Sequence, residues 1–421
     1  RDDVESRGLG DVYKRQVESI LIMFCCITDV AVINKYLSYG LRTYMRYLWI
    51  VGLLIYLFGI KRKKITGIFQ VLTIMMLVLI MGAKFNGYDL SMTLSTMSSP
   101  YLVCLFLEAN KESVDEVVAV WCKILLILVA LDAITMVLYP KGMYFDGLYN
   151  ENWFLGYKTE RLVYSLPLCV FEAFLNYKKK KKYGCRTYFI ILFSCGCLFH
   201  SQATAAFVVM FLYFILLLLV DSMNFIRFKG EKKLVGYVCS YRFMLPVYAI
   251  VSILFFLIDN IVFLQNFVVN VLNKDATLTT RTDIWKLCFI QFLKHPIIGI
   301  GIIKNENFVA ITNNAYAGSA HNMIWTILVA GGLLFLMLYV VMCVVALKTE
   351  NENILERAPL CLGILCVWII GITSSSFVLS VFGFCFYEVL VLSDLKQMKN
   401  LYSSSAGKRH KICSSIPGGN K

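Results

Sequence analysis

Residues 323–347 read MIWTILVAGGLLFLMLYVVMCVVAL and contain no charged side chain. At about 1.5 Å of rise per residue, the stretch is long enough to cross a bilayer core of about 30 Å. The runs 71–83 and 203–220 are likewise uncharged, and 124–139 carries only Asp132. The whole chain of 421 residues is 59% hydrophobic, with mean hydropathy +0.69. A soluble domain interrupts its apolar runs sooner than this. The alternation of a β-barrel is absent, so helices are the spanning solution left. The predicted fold is therefore an all-α, polytopic membrane bundle of about 12 transmembrane helices, with one large extracytoplasmic loop holding short interfacial helices. Spans are expected near 17–35, 47–60, 65–83, 94–109, 117–139, 161–177, 187–200, 203–220, 243–264, 322–347, 358–373 and 376–394.

The formal charge of +14 does not point to nucleic acid, because the basic residues sit in short clusters between apolar runs. Lys61–Lys64 and Lys178–Lys182 are such clusters, the pattern of cytoplasmic loops beside anionic headgroups. With the N-terminus inside, twelve spans keep these clusters inside, together with Lys111, the 227–242 segment, Lys348, Arg357 and the basic tail. Both termini are then cytoplasmic. The outer side keeps few cations, among them Arg42, Arg46, Lys158 and Arg161. No internal repeat of the transporter kind is visible. Most of the 15 cysteines lie inside apolar runs, without CxxC pairs or zinc-ligand spacing, and read as packed thiols.

The expected organisation has five parts. Residues 11–16, DVYKRQ, read as translated sequencing adapter, so 1–16 is set aside as a non-native segment. Residues 17–264 form an N-terminal bundle of about nine helices. Residues 265–321 form the extracytoplasmic catalytic loop, 322–394 the last helices, and 395–421 a disordered cytoplasmic tail. A second, shorter outer loop lies at 140–160.

The large loop has internal structure. Thr280 and Asp283 form a variant capping pair before 281–294, RTDIWKLCFIQFLK. There Ile284, Trp285, Cys288, Phe289 and Phe292 recur at helical spacing, and Arg281, Asp283, Lys286, Gln291 and Lys294 supply the polar positions. This suits a helix in the membrane interface with Trp285 at headgroup depth. Pro296 stops it, and Gly299 and Gly301 turn the chain. A polar stretch at 304–319 leads to His321-Asn322, directly before the span that carries Gly331-Gly332.

RTDIW, then HPIIGIG, then HNMIWTILVAGGLLF resemble the signature of the O-antigen ligase and polysaccharide polymerase family. The fit in order and spacing covers roughly 281–335; elsewhere it is a matter of helix number and loop position. The resemblance implies a bacterial cytoplasmic-membrane glycosyltransferase working on the outer face. Its donor would be an undecaprenyl-diphosphate-linked glycan and its acceptor a hydroxyl of another lipid-linked unit or of lipid A core. No nucleotide sugar, metal or cofactor is implied. The partners implied are the bilayer, a flippase and a chain-length regulator.

Such a transfer needs a base for the acceptor hydroxyl and a cation for the leaving diphosphate. His321 suits the first role; its plainer reading is a surface histidine at a helix start. Arg281 suits the second, because a guanidinium fork at a helix N-terminus binds phosphate oxygens; its plainer reading is a snorkelling interfacial arginine. Asn322 would orient His321 or bind a sugar hydroxyl. Lys158 and Arg161, at the outer edge of another span, are further diphosphate candidates, and Trp285 completes the substrate-binding set. Glu306 and Asp146 are reserve bases. Tyr149, Trp153 and Tyr157 could stack on sugars, though aromatic-belt positions are commoner. His200 and His295 read as structural, and His410 has no visible role.

The leading function is polymerisation of lipid-linked repeat units into capsule, exopolysaccharide or O-antigen. A ligase differs only in its acceptor. A lipid-linked sugar transporter or flippase would need ionisable groups at mid-membrane depth; Asp29, Asp132, Glu172 and Asp259 lie mostly near span ends.

Overall fold

A computed structural model describes residues 2–27, 30, 38–62, 64–145, 152–226, 231–256, 281–312, 318–348, 354–374 and 380–396. The described residues are almost entirely helical. In chain order the helices are α1 Asp2–Cys26, α2 Tyr39–Leu54 (continued by a π-helical turn, Ile55–Ile60), α3 Gly67–Phe85, α4 Leu90–Ala109 and α5 Val114–Leu138. A small hairpin follows, β1 Asn152–Trp153 and β2 Gly156–Tyr157, antiparallel with Asn152 opposite Tyr157. Then come α6 Leu162–Lys180, α7 Gly184–His200, α8 Thr204–Ile226, α9 Glu231–Val238, α10 Tyr241–Phe256, α11 Arg281–Lys294, α12 Asn305–Thr312, α13 Met323–Ala346 and α14 Ile354–Gly371. A last helix, α15, covers 385–396.

Each of the twelve predicted spans overlaps helical residues, but the count of about twelve is not reached on physical grounds. Seven helices of the described residues are long and apolar enough to cross a membrane. The count becomes eight if α9 and α10, bent by 44° at their break, make one span. The shortfall has visible causes. The first half of α1 is polar, and α7 has only 17 residues. Helix α6 carries Glu172 and ends in Lys178–Lys180, yet Leu162–Phe174 lies almost wholly inside the protein. It belongs to the interior and needs no lipid-facing apolar girth. The structure also carries α1 without interruption through residues 2–16, and Arg15 pairs with Glu116 at 3.0 Å.

Helix α14 is the axis of the bundle. Fully 94% of its apolar stretch is buried, against α6 and α8 above all. Helix α13 packs on α3, and α2 and α3 both pack on α4. The outward faces stay apolar: Ile74, Leu77, Val137, Phe189, Met337 and Val341 are all exposed, as lipid-facing side chains are.

The basic clusters meet at one end. Lys111 Nζ donates to the Lys64 carbonyl at 2.6 Å, and Asp115 binds Lys178 and Lys396. Glu356 binds Lys178 and Lys181, and Arg357 reaches Asp394 and the Lys348 carbonyl. Arg15 and Lys396 thus reach the same end, so the described chain begins and finishes its passage there.

The large outer loop is not confirmed as a loop. Its first part, 257–280, lies outside the described residues, as does 313–317. The rest is α11, a turn and α12, and it is packed into the bundle. Ile284, Cys288, Ile300, Phe308, Ala320 and Val329 form a small separate core. The polar positions of α11 differ in one respect: Gln291 is buried. The outward face of this helix, Phe289, Ile290 and Leu293, stays exposed and apolar.

Candidate active site

The segment His295–Ile302 is held by the bundle through its backbone. Gly332 has φ 65° and ψ −163°, which breaks α13. Across that break the N–H groups of Leu333 and Leu334 lose the carbonyls four residues back, those of Val329 and Ala330. The turn supplies both halves of the missing pairing. Leu333 and Leu334 donate to the Pro296 and Ile297 carbonyls at 2.8 and 3.0 Å. Ile300 and Gly301 donate to Val329 and Ala330 at 2.9 and 2.8 Å. Non-helical backbone at membrane depth is stable only where protein satisfies it in this way.

Glycines make the approach possible. A Cβ on Gly82 of α3 would lie 2.7 Å from the Ile298 carbonyl oxygen, and one on Gly301 (φ 77°) 2.7 Å from the Ala83 Cα. Asn86 Nδ2 donates to the Gly299 carbonyl at 3.1 Å. The Thr93 hydroxyl of α4 both donates to the Ile302 carbonyl and accepts from its N–H, each at 3.1 Å. The turn expected from Pro296, Gly299 and Gly301 is therefore present, clamped between α3, α4 and α13.

The same framework places His321 within electrostatic reach of Arg281. Arg281 opens α11, and one turn on Trp285 donates its indole N–H to the Ala320 carbonyl at 3.1 Å. Trp285 is 1% exposed, so its ring is enclosed by protein. Asn322 caps α13: its side chain accepts from the Trp325 N–H at 3.2 Å and donates to the Ile372 carbonyl at 3.0 Å. Both functions of that amide are thus used within the fold. Between these anchors His321 adopts φ 47°, a left-handed conformation that costs a non-glycine residue about 1 kcal/mol or more. The imidazole is half-buried. Burial, and after it the Arg281 guanidinium, hold it below the usual histidine value of 6.5. Burial also lowers Arg281, which stays charged as arginines in proteins do. A neutral imidazole beside a fixed cation can accept a proton while the cation binds an oxyanion.

Arg161 and Lys158 stand apart from this pair. Arg161 is 2% exposed, bonded to Asp132 at 2.5 Å, with its guanidinium 4.4 Å from the Trp153 ring centroid. Asp132 also accepts the Leu155 N–H at 2.9 Å, and Trp153 donates to the Tyr139 carbonyl at 2.7 Å. The hairpin is thus fastened to α5 through Arg161 and Trp153. Lys158 lies 5.4 Å from the Tyr157 ring centroid. Glu306 and His200 are exposed, and His295 accepts the Gly299 N–H within the turn. Asp146, Tyr149 and His410 lie outside the described residues. Among the described residues no group of three or more His, Cys, Asp or Glu could hold a metal ion.

A cavity of about 530 Å³ reaches Ala320, the residue before His321, though neither His321 nor Arg281 lines it. Gly301–Ile303, Asn305 and Phe308 line it, as do Gly318–Ala320 and Thr326. The remaining wall comes from Tyr39 and Arg46 of α2, Ser95 and Ser99 of α4, and Glu160. Sequence reasoning placed Arg46 in an outer loop. It is instead inside α2, fully buried, one turn beyond Arg42. The signal available was the RxxxR spacing of Arg42 and Arg46, which puts both on one helix face.

The fold and this site define a multi-pass membrane protein in which His321 lies within electrostatic reach of Arg281, next in sequence to a cavity wall of mixed polar and apolar side chains. Residues 189–340 match the family model described as O-antigen ligase. Arg281, Trp285, Pro296, both turn glycines, His321, Asn322 and Gly331-Gly332 all fall inside the match, so this part of the chain is similar to the O-antigen ligase family. No curated protein and no solved structure matches the chain.

Proposed function

We propose that the chain polymerises undecaprenyl-diphosphate-linked oligosaccharide units into a surface polysaccharide on the outer face of the membrane. His321 takes the proton of the acceptor hydroxyl as that oxygen bonds to the donor's anomeric carbon. The bond from that carbon to the phosphate oxygen breaks, and undecaprenyl diphosphate leaves with the electron pair. Arg281, with the first-turn N–H groups of α11, neutralises the charge gathering on the diphosphate. Asn322 and Trp285 act as positioning residues on either side of His321. No step is assigned to a metal or cofactor.

The observation that carries the reading is the electrostatic proximity of Arg281 to His321, whose neighbour Ala320 lines a cavity large enough for a sugar unit. The meeting of Lys64, Lys111, Lys178, Lys181 and Lys396 at the other end supports cytoplasmic termini and an extracytoplasmic site. Residues 281–312 and 318–321 would then belong to the catalytic segment. The test is polymer length on gels from a deletion strain carrying His321→Ala or Arg281→Ala. Each variant should insert normally and make no lengthened chains. Normal polymer from both would end the assignment. A strain that keeps its polymer but loses only its attachment to lipid A core would make the enzyme a ligase.

A further inference from the structure

Arg46 is a cation inside the bundle without a counter-ion among the described residues. Its Nη1 donates to the Ser99 hydroxyl, its Nη2 to the Thr43 hydroxyl at 2.5 Å, and the Tyr39 ring centroid lies 5.4 Å away. Its Nε is buried with no hydrogen-bond partner. No carboxylate of a described residue pairs with it. Arg42, one turn away, adds a second positive charge on the same helix face and donates to the Ile27 carbonyl. The thiols of Cys25 and Cys26 and the phenol of Tyr47 are further titratable neighbours among the described residues. Arg46 lies seven residues into α2, about 10 Å below its Tyr39 end by helical rise.

A buried charge paired only with hydroxyls is expensive, and in membrane helices such charges mark ligand sites. The cavity gives this one a ligand. Arg46 is the only basic residue among the described residues that line it, and Glu160 the only acidic one. Glu160 is engaged with the Tyr157 N–H at 2.9 Å. Ser95, Thr96 and Ser99 add hydroxyl donors beside Arg46, and Ser319 and Ala320 of the same wall adjoin His321. Arg46 lies outside the matched segment 189–340, so nothing in that match assigns it a role.

We propose that Arg46, with the hydroxyls of α4, forms an oxyanion subsite for the second lipid-linked substrate, separate from Arg281. The inference rests on the transferase reading. Joining two carrier-linked chains brings two anionic head groups to one active site, and only one departs. Arg281 holds the diphosphate that leaves, and Arg46 holds an oxyanion of the acceptor. That oxyanion comes either from the carrier's phosphates or from the carboxylate of an acidic sugar.

The test uses the purified full chain in lipid nanodiscs, followed by thermal unfolding. Arg281→Ala removes the first cation and isolates the second site. Inorganic pyrophosphate should still raise Tm in Arg281→Ala, and the rise should vanish in Arg281→Ala/Arg46→Gln and return with Arg46→Lys. A response to glucuronate in place of pyrophosphate assigns the oxyanion to the glycan. In a transfer assay Arg46→Gln should raise the acceptor KM at least tenfold and leave the donor KM unchanged. A Tm rise that survives Arg46→Gln, or no response to either anion in Arg281→Ala, overturns the subsite. The anion arm needs no turnover, so normal polymer from His321→Ala would remove the transferase reading while the Arg46 result still stood.

Discussion

The indole of Trp285 and the carbonyl of Ala320 are joined by a 3.1 Å hydrogen bond that ties the first turns of α11 to the residue before His321. Arg281 sits one turn before the tryptophan, so this bond sets the separation between guanidinium and imidazole. Trp285→Phe keeps the buried ring and removes the donor. An unpaired buried carbonyl costs about 1–3 kcal/mol, and a misplacement of about 1 Å at a reacting centre can cost about a hundredfold in rate. Transfer by the Trp285→Phe variant should therefore fall by about ten- to a hundredfold while its membrane level stays normal. An unchanged rate would mean that the pair is held by something else.

The lowered imidazole makes a statement about pH. Burial and Arg281 both disfavour the protonated form, so His321 stays neutral on acidification further than a free histidine would. The acid limb of kcat/KM should lie below 6.5. With His200, His295 and His410 replaced by glutamine, the pH midpoint for diethyl pyrocarbonate modification should report the same group. It should move upward, toward 6.5, in Arg281→Gln. The sign for stability follows: the unfolded chain takes up this proton first, so the contribution of His321 turns unfavourable as pH falls through 6.5 and is absent above it. An acid limb above 6.5 contradicts the burial argument.

Gly301 and Gly52 should behave oppositely on substitution by alanine. At Gly301 a methyl group meets the α3 backbone at Ala83 and the residue has φ 77°. Overpacking and strain together should destabilise the protein by on the order of 3 kcal/mol. At Gly52 a Cβ meets nothing within 4 Å, and helix propensity favours alanine by about 1 kcal/mol. Thermal unfolding in detergent separates the two, and equal Tm values would show that the turn is not tightly docked.

Asp132→Ala should leave Arg161 as a buried charge without its carboxylate. Breaking such a pair from one side costs about 3–5 kcal/mol. The double replacement Asp132→Ala/Arg161→Met should recover most of the lost stability. If Arg161 instead binds diphosphate directly, the double variant will be stable and inactive; if it only fastens the hairpin, stability and transfer will recover together.

Sidedness can be read at Cys185, an exposed thiol beside the lysine cluster. A membrane-impermeant maleimide should label it in inverted vesicles and not in intact cells. Labelling in intact cells would reverse the proposed orientation.

Much of this was legible in the sequence because membrane helices announce themselves by charge-free length. The bounds Arg281–Lys294 and the start of α13 after Asn322 follow from Pro296 and from an asparagine cap, both local signals. The family motif brought His321 and Arg281 to attention before their electrostatic proximity was visible. What stayed hidden depended on partners far along the chain. Nothing local marks Gly82 as the seat for Ile298 and Gly301. Arg161 looks like a free outer cation until Asp132, 29 residues away, closes on it. Arg46 reads as a loop residue because hydropathy averages cannot tell a charge that faces the interior from one that faces water. The count of about twelve spans is not confirmed among the described residues, where α6 carries charge and α7 has only 17 residues.

The break at Gly332 also bears on how the protein is made. Helix α13 looks like a self-sufficient span, but on its own it would carry two bare carbonyls and two bare amides into hydrocarbon. Their partners, Pro296–Gly301, leave the ribosome first. The two segments must therefore enter the bilayer as one unit, the turn already folded against the nascent helix. Biogenesis is thus tied to the candidate site: a chain that fails to seat its turn leaves these groups of α13 without their partners in its next membrane crossing.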